Sequence, residues 1–336
     1  MKAYVLKKGS ETLDSLAMVD LPKPEAGSGE IVVRMRATSL NYRDQAVMMG
    51  RYFGGKVARD TIPLSDGAGE VVEVGAGVTR FKAGDRVAGT FFQNWIDGPP
   101  APEARPALGS PLDGALAEFV KFNERDAVLI PENLSFEEGA TLPCAGVTAW
   151  HALMVAGSVK PGDTVLVLGS GGVSMFGLQF AKAAGARVIA TSSSDEKLAR
   201  VKALGADDLI NYSKTPEWDV EVQKITGGRG VDYVVEVGGT GTLARSMRSV
   251  GFCGKVMLIG VLSQGTDTSP HSLMLKGGSL HGIFVGSRAM FEAMNKAIER
   301  NKIQPVIGKT FEFDQAREAY KHQMTSAHFG KIVIKV

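Results

Sequence analysis

Two textures of apolar and polar patterning divide the chain. Up to about Val120, short runs alternate and are separated by glycine turns. Residues 30–37 (EIVVRMRA), 69–74 (GEVVEV) and 86–90 (RVAGT) read as strands, and close spacing of such runs predicts a β-rich domain. Residues 94–114 are dense in Pro and Gly and read as a long loop. After Pro131, strand and helix patterns take turns. A helical stretch over 136–155 is expected, with Ser135 as N-cap and Glu138 completing a capping box. Strands are expected at 164–168, 187–191, 208–212, 231–237 and 255–260, and helices at 173–184, 195–204, 220–226 and 243–250. This alternation means βαβ units and a parallel sheet covered on both faces. A helix over 288–300 and a strand over 330–336 follow, the strand expected to rejoin the first domain.

Composition narrows the function classes. At 336 residues the chain exceeds what one core usually serves, so two domains are expected. The 38 basic and 36 acidic residues leave a net charge of +2, which gives nucleic-acid binding no support. Two cysteines exclude a disulfide framework and suit a reducing, cytoplasmic setting. The first twenty residues are broken by charge and read as no signal peptide, and no run is long enough for a membrane span.

Residues 164–177 (TVLVLGSGGVSMFG) carry the chemistry. A buried strand runs into a glycine turn, and a helix begins at once. Gly169 would make the tight turn, Gly171 would let the backbone approach a pyrophosphate, and Gly172 and Val173 would open the helix whose N–H groups and dipole favour phosphate. The third glycine of the dinucleotide pattern is replaced by Ser174. An NAD site usually places Asp or Glu about 20 residues further on, to hold the ribose 2′-hydroxyl. That strand ends instead in Thr191, Ser192, Ser193 and Ser194. Hydroxyls from Ser192 and Ser193, the Lys197 ammonium and the Tyr212 phenol could receive a 2′-phosphate, so NADP (as NADPH) is the expected cofactor.

These segments resemble the medium-chain dehydrogenase/reductase superfamily. The resemblance rests on PGDTVLV (161–167), GSGGVS, QFAKAAGA, LGAD (204–207) and GGRGVD (227–232). In the first half it rests on SLNYRD (39–44), MGRY (49–52), PLSDGAGEVV (63–72) and FKAGDRV (81–87). It covers nearly the whole chain and is closest to the zinc-independent, quinone-oxidoreductase-like branch and relatives named as alcohol dehydrogenases. The fold class it implies is α/β, a doubly wound Rossmann sheet with a β-rich GroES-like catalytic domain. Residues 1–125, completed by about 296–336, would form the catalytic domain, and 126–295 the NADP-binding domain. The resemblance implies an active site in the cleft between domains and a homodimer joined at the sheet edges of the nucleotide domains. It also places Thr148, Gly260, Val261, Leu262, Phe284 and Val285 beside the nicotinamide.

Zinc members of the superfamily use Cys, then His-Glu, then Cys or Asp. Asn41, Ser65-Asp66 and Cys144 resemble those positions here, which is too few zinc ligands. The loop corresponding to the structural zinc lobe has no cysteine, so no metal is expected. The implied function is hydride transfer from NADPH to a small-molecule quinone or α,β-unsaturated carbonyl, with Asn41 and Tyr52 as catalytic donors. An alcohol/carbonyl pair on the same fold is the alternative, and a non-catalytic NADPH-binding protein a third reading. Trp95, in the long loop, is expected to border the cleft.

Overall fold

The computed structural model describes residues 1–260, 262 and 269–336. The chain forms two compact units, residues 1–147 with 286–336, and residues 148–285. The first opens with an antiparallel pair, β1 (Lys2–Leu6) and β2 (Leu16–Asp20). A larger sheet follows, with β3 (Glu30–Leu40), β4 (Asp66–Val74), β5 (Arg86–Gly89), β6 (Phe119–Asn123) and β7 (Ala127–Leu129). β3 pairs with β4 and β6, β4 with β5, and β5 with β7, all antiparallel. Ile31, Val33, Met35, Val71, Val87 and Phe122 fill one core beneath it, since alternate positions of each strand face inward.

The second unit is a parallel sheet. Its described strands are β8 (Thr164–Leu168), β9 (Arg187–Ser192), β10 (Asp208–Asn211), β11 (Val231–Glu236), β12 (Val250–Leu258) and β13 (Ser279–Gly282), in the order β10-β9-β8-β11-β12-β13. All five pairings are parallel. Every residue of β8 is buried, as a central strand covered on both faces requires. The chain winds outward from β8 to β10, then returns to β11 on the other side. This reversal leaves a switch point at the carboxyl ends of β8 and β11, where open α/β sheets bind ligands.

The chain then completes the first unit with helix Arg288–Asn301, β14 (Ile307–Phe311), helix Ala316–Met324 and β15 (Lys331–Lys335). β15 runs parallel to β14 and antiparallel to β3. The expected return of the tail to the first domain is thus made through β3.

Several elements differ from the sequence reading. The first unit extends to Val147 rather than 125 and resumes at Gly286 rather than 296. β7 is a ladder partner of β5, and helix Arg288–Asn301 is tied to the same unit by Asn295 Nδ2 donating to Leu129 O at 2.8 Å. The stretch 136–155 is not one helix. It runs through helix Phe136–Gly139, a π-type segment Leu142–Gly146, helix Val147–Trp150 and a second π-type segment His151–Gly157. Pro143 lacks the N–H that regular α-helical bonding would need there. Trp95 is 4% exposed, packs against Phe92 and donates its indole N–H to Gly98 O at 2.8 Å, so its ring is more enclosed than a loop position suggests.

The β11 end is held by a buried carboxylate. Glu236 accepts from the N–H groups of Gly238 (2.7 Å) and Gly239 (2.9 Å), from the Thr242 hydroxyl (2.6 Å), and from the Ser246 hydroxyl. Its carbonyl accepts from the N–H groups of Ile259 and Gly260. The two loops are pressed so closely that a Cβ on Gly260 would lie 1.6 Å from Val237 O. Gly260→Ala must therefore push the ends of β11 and β12 apart. It is expected to destabilise the protein by about 1–3 kcal/mol. An unchanged urea midpoint would show that this contact is not the constraint described.

Candidate active site

Because the strands of the second unit are parallel, their carboxyl ends share one edge. Gly169, Gly171, Gly172 and Val173 follow β8, Ser192 and Ser193 end β9, and Tyr212 follows β10. Gly260 and Leu262 follow β12, and Phe284 and Val285 follow β13. Val261 lies outside the described residues. Thr148 is buried within helix Val147–Trp150.

The glycine turn has the shape of a phosphate cradle. Gly169 has φ +72°, which a side chain would strain, and a Cβ on Gly169 or Gly171 would meet nothing within 4 Å. Gly171 is the N-cap of helix Gly172–Ala183 and has no side chain to bond the first-turn N–H groups. The observed cradle therefore fits a dinucleotide pyrophosphate. Ser174 replaces the third glycine at no polar cost, since its hydroxyl donates to Leu168 O at 2.6 Å.

At the β9 end, Ser192 is buried and Ser193 is exposed. Ser194 caps the next helix by accepting the Lys197 N–H. The nearest carboxylate, Asp195, accepts from Asn211 Nδ2 at 2.6 Å and pairs with Lys214 at 2.5 Å. Burial, then the neighbouring Arg200, lowers the Lys197 ammonium from its usual value. Arg200, one turn beyond Lys197, was not read from the sequence, although the three-residue spacing places both on one helix face. Tyr212 is exposed and its backbone N–H bonds Ser192 O at 3.0 Å. Val285 adopts φ +47°, rare for a β-branched residue, and its carbonyl lies 2.8 Å from His151 Nδ1.

In the first unit, strand register gathers a second cluster. Leu40 pairs with Ile332, and Ser39 with Asp66. The residues just past those pairs, Asn41, Lys331 and Ser65, consequently meet at one sheet end. Lys331 Nζ donates to Asn41 Oδ1 at 2.6 Å and Leu40 O at 2.7 Å, and lies 3.7 Å from Asp66 Oδ2. Asp66 Oδ1 accepts from Ser65 Oγ at 2.7 Å, and Oδ2 from the Cys144 N–H at 3.2 Å. Ser65 Oγ in turn lies 3.4 Å from Asn41 Nδ2. Asp66 and Lys331 are buried, while Asn41 is half-buried. Burial, reinforced by Asp66, raises the Cys144 thiol far above its usual value, so it stays protonated. Among the described residues, no three His, Cys, Asp or Glu side chains are grouped so as to hold a metal.

Tyr52 is half-buried beside this cluster. The Arg43 guanidinium lies 5.0 Å from its ring centre and is fixed by Leu108 O and Ser110 O. Burial raises the Tyr52 phenol above its usual value, so it remains a donor at neutral pH. Asp44, buried, accepts the Asn41 N–H at 2.7 Å and sets the start of helix Tyr42–Met48.

A dinucleotide cradle on a parallel sheet, with a polar cluster on a separate β-rich unit, defines a nicotinamide-dependent dehydrogenase or reductase. Family matches agree: the alcohol dehydrogenase GroES-like domain over residues 27–132 and the zinc-binding dehydrogenase domain over 172–300. The chain is 45% identical over 342 residues to a zinc-type alcohol dehydrogenase-like protein of Schizosaccharomyces pombe, covering 99% of each. It is 28% identical to a quinone oxidoreductase of Rattus norvegicus, over 97% of this chain and 94% of that one. The crystal structure of an NAD-dependent alcohol dehydrogenase matches at TM-score 0.91 and 34% identity over 100% of both chains. The chain belongs to the medium-chain dehydrogenase/reductase superfamily and is an NAD(P)-dependent oxidoreductase.

Burial pushes the Asp44 carboxyl up to about 6, against the pull of Arg43 and the Asn41 N–H, with Asp66 adding to the rise. Folding thus favours its protonated form. That contribution is full below the unfolded value near 3.8 and is lost as pH rises through about 6. Asp44→Asn keeps an acceptor for Asn41 and does not titrate. Between about pH 4 and about pH 7, wild type should lose on the order of 1–3 kcal/mol relative to this variant. Parallel urea curves at both pH values would refute the shift.

Proposed function

We propose that this protein is a zinc-independent NADPH-dependent reductase of quinones or α,β-unsaturated carbonyls. The observation that carries the reading is the Lys331 ammonium seated among the residues at the zinc-ligand positions. Those positions offer an amide (Asn41), a hydroxyl (Ser65), a carboxylate paired with a cation (Asp66) and a single thiol (Cys144). A structural or catalytic zinc is held by several soft or imidazole donors, of which Cys144 is the one present among these four, and here the ion would also face a fixed positive charge. This donor set does not fit zinc.

The preference for NADPH rests on this chain's own strand end, since the solved relative above is named for NAD. The nearest acid, Asp195, is taken up by Asn211 and Lys214, whereas Lys197 and Arg200 form a positive pair suited to a 2′-phosphate. When bound, the reduced nicotinamide supplies a hydride, and one added proton completes the two-electron reduction. Asn41 directs an amide N–H at the acceptor oxygen as negative charge develops there. Tyr52, kept protonated by burial, donates a second hydrogen bond or the proton itself. The relatives named as alcohol dehydrogenases favour a second reading, an alcohol/carbonyl pair handled by the same two donors.

The protein is further proposed to form a homodimer through the β13 edge. Leu280 on that strand is exposed, and Phe252, Met274 and Leu275 add a large apolar surface to the same unit. No helix among the described residues is long and apolar enough to cross a membrane. Cys144 and Cys253 are both free thiols, which fits a cytoplasmic setting.

The first test is fluorescence titration of chelator-treated protein with NADPH and NADH, followed by addition of 1,4-benzoquinone, an enone, or an alcohol with NADP⁺. Preferential NADPH binding and oxidation by the first two acceptors is expected. Activity that appears only with added zinc would overturn the reading, and turnover confined to the alcohol would favour the second one. Lys197→Ala should raise KM for NADPH about tenfold, the worth of one charge-assisted hydrogen bond, and leave NADH nearly unchanged. Equal changes for both would remove the 2′-phosphate role. Tyr52→Phe should lower kcat about 100-fold with cofactor affinity intact. Full turnover in that variant would exclude Tyr52 from the chemistry.

A further inference from the structure

We infer that Lys331, buried on the last strand, is the positioning residue of the active site, fixing which end of the Asn41 amide faces the acceptor. The inference deepens the proposed function and rests on its assignment of Asn41 as a donor.

The argument begins with what an ammonium can do. Lysine only donates, so the atom of Asn41 that lies 2.6 Å from Nζ must be the carbonyl oxygen. The amide NH₂ then points the other way. One of its hydrogens is directed at Ser65 Oγ, which is itself committed as a donor to Asp66 Oδ1. The second hydrogen is left for a ligand. If the amide turned over, its oxygen would face the ligand and its NH₂ would face an ammonium, with two donors opposed and no acceptor between them. Only one orientation is compatible with Lys331.

Lys331 is in turn held where it is. Leu40 O accepts a second N–H at 2.7 Å, and Asp66 Oδ2 lies 3.7 Å away to balance the charge. Asp66 is fixed from its other sides by Ser65 Oγ and the Cys144 N–H. The Asn41 backbone is fixed separately, by its N–H on Asp44 Oδ2. Lys331 therefore acts on the side-chain amide through its carbonyl, which also gains polarisation from the cation and makes the opposite N–H a better donor. No reacting atom need touch Lys331. Its effect passes through Asn41.

The test is a double-mutant cycle on the full-length protein, reading kcat and KM with NADPH and the best acceptor of the panel. Asn41→Ala should lower kcat on the order of 100-fold, as loss of one oxyanion donor does. Lys331→Met, which keeps the length and apolar stem, should lower kcat at least about tenfold with KM for NADPH unchanged, a split that general damage would not give. In the Asn41→Ala background the same change should lower kcat no further, since no amide remains to orient. If Lys331→Met alone unfolds the chain, Lys331→Met with Asp66→Asn removes both charges together and is read in the same cycle. Full kcat in the Lys331 variant while Asn41→Ala is impaired overturns the positioning role and leaves the proposed function standing. Additive losses in the cycle overturn it too, because they assign Lys331 a role independent of Asn41. Full activity of Asn41→Ala overturns both.

Discussion

Burying an ammonium is costly, and the first unit is arranged around doing so. Lys331 is 3% exposed and Asp66 fully buried, and apart from the Cys144 N–H the contacts of the pair come from three strand ends meeting at one place. β3 supplies Leu40 O with Asn41 just after it, β4 supplies Asp66 with Ser65 just before it, and β15 supplies the lysine. The ladder pairs Leu40 with Ile332 and Ser39 with Asp66, so a shift of one residue in either ladder would turn Lys331 or Asp66 to the opposite face. A buried ion pair is poor insurance for stability, since an apolar pair of similar volume often does as well, but losing one partner costs about 3–5 kcal/mol. The pair thus penalises wrong register strongly while adding little net stability, and register is what brings Asn41 to its station.

The second unit solves a different problem by a different means. Its site depends on backbone rather than on side chains. Parallel strands send six carboxyl ends to one edge, Gly169 supplies a turn with no Cβ, and an uncapped helix begins at Gly172. The selective part of that site is a short run of side chains after β9. There a carboxylate that could receive a ribose hydroxyl is bound to Asn211 and Lys214, while two cations sit one helical turn apart. Cofactor selection in this reading is electrostatic, and the cradle itself is indifferent to it.

The parts legible in the sequence were those written in local pattern. The run TVLVLGSGGVS announces strand, turn and helix within a few residues, and the parallel sheet follows from repetition of that grammar. Short polar-faced strands were harder. β13, with its alternating exposure in SLHG, and β6 and β7, only five and three residues long, give too little periodicity to read. The helical stretch after Ser135 was read as continuous because its small residues suit a helix, and only the structure shows the π-type turns around Pro143. Trp95 reads as an open loop residue because it sits in an irregular stretch, yet it is buried. Its burial depends on packing against Phe92, and that packing is not encoded in the loop's composition.

Asn41, Ser65, Asp66 and Cys144 were visible as the positions a zinc ion would use, and their chemistry spoke against one. What takes the cation's place was not visible, because Lys331 stands some 290 residues from Asn41 and reads in sequence as one more charge in a terminal strand. A one-dimensional reading can count ligands that are missing but not the group that replaces them. The replacement changes the logic of the site. A metal binds the substrate oxygen and polarises it directly, whereas a buried ammonium that donates to Leu40 O and Asn41 Oδ1 and pairs with Asp66 acts by setting the direction of a neutral donor. Such a site offers a weaker electrophile, and it is matched to acceptors that take hydride readily by themselves. Quinones and activated alkenes meet that condition better than a simple alcohol or ketone, and the proposed substrate class rests on which cation occupies this place.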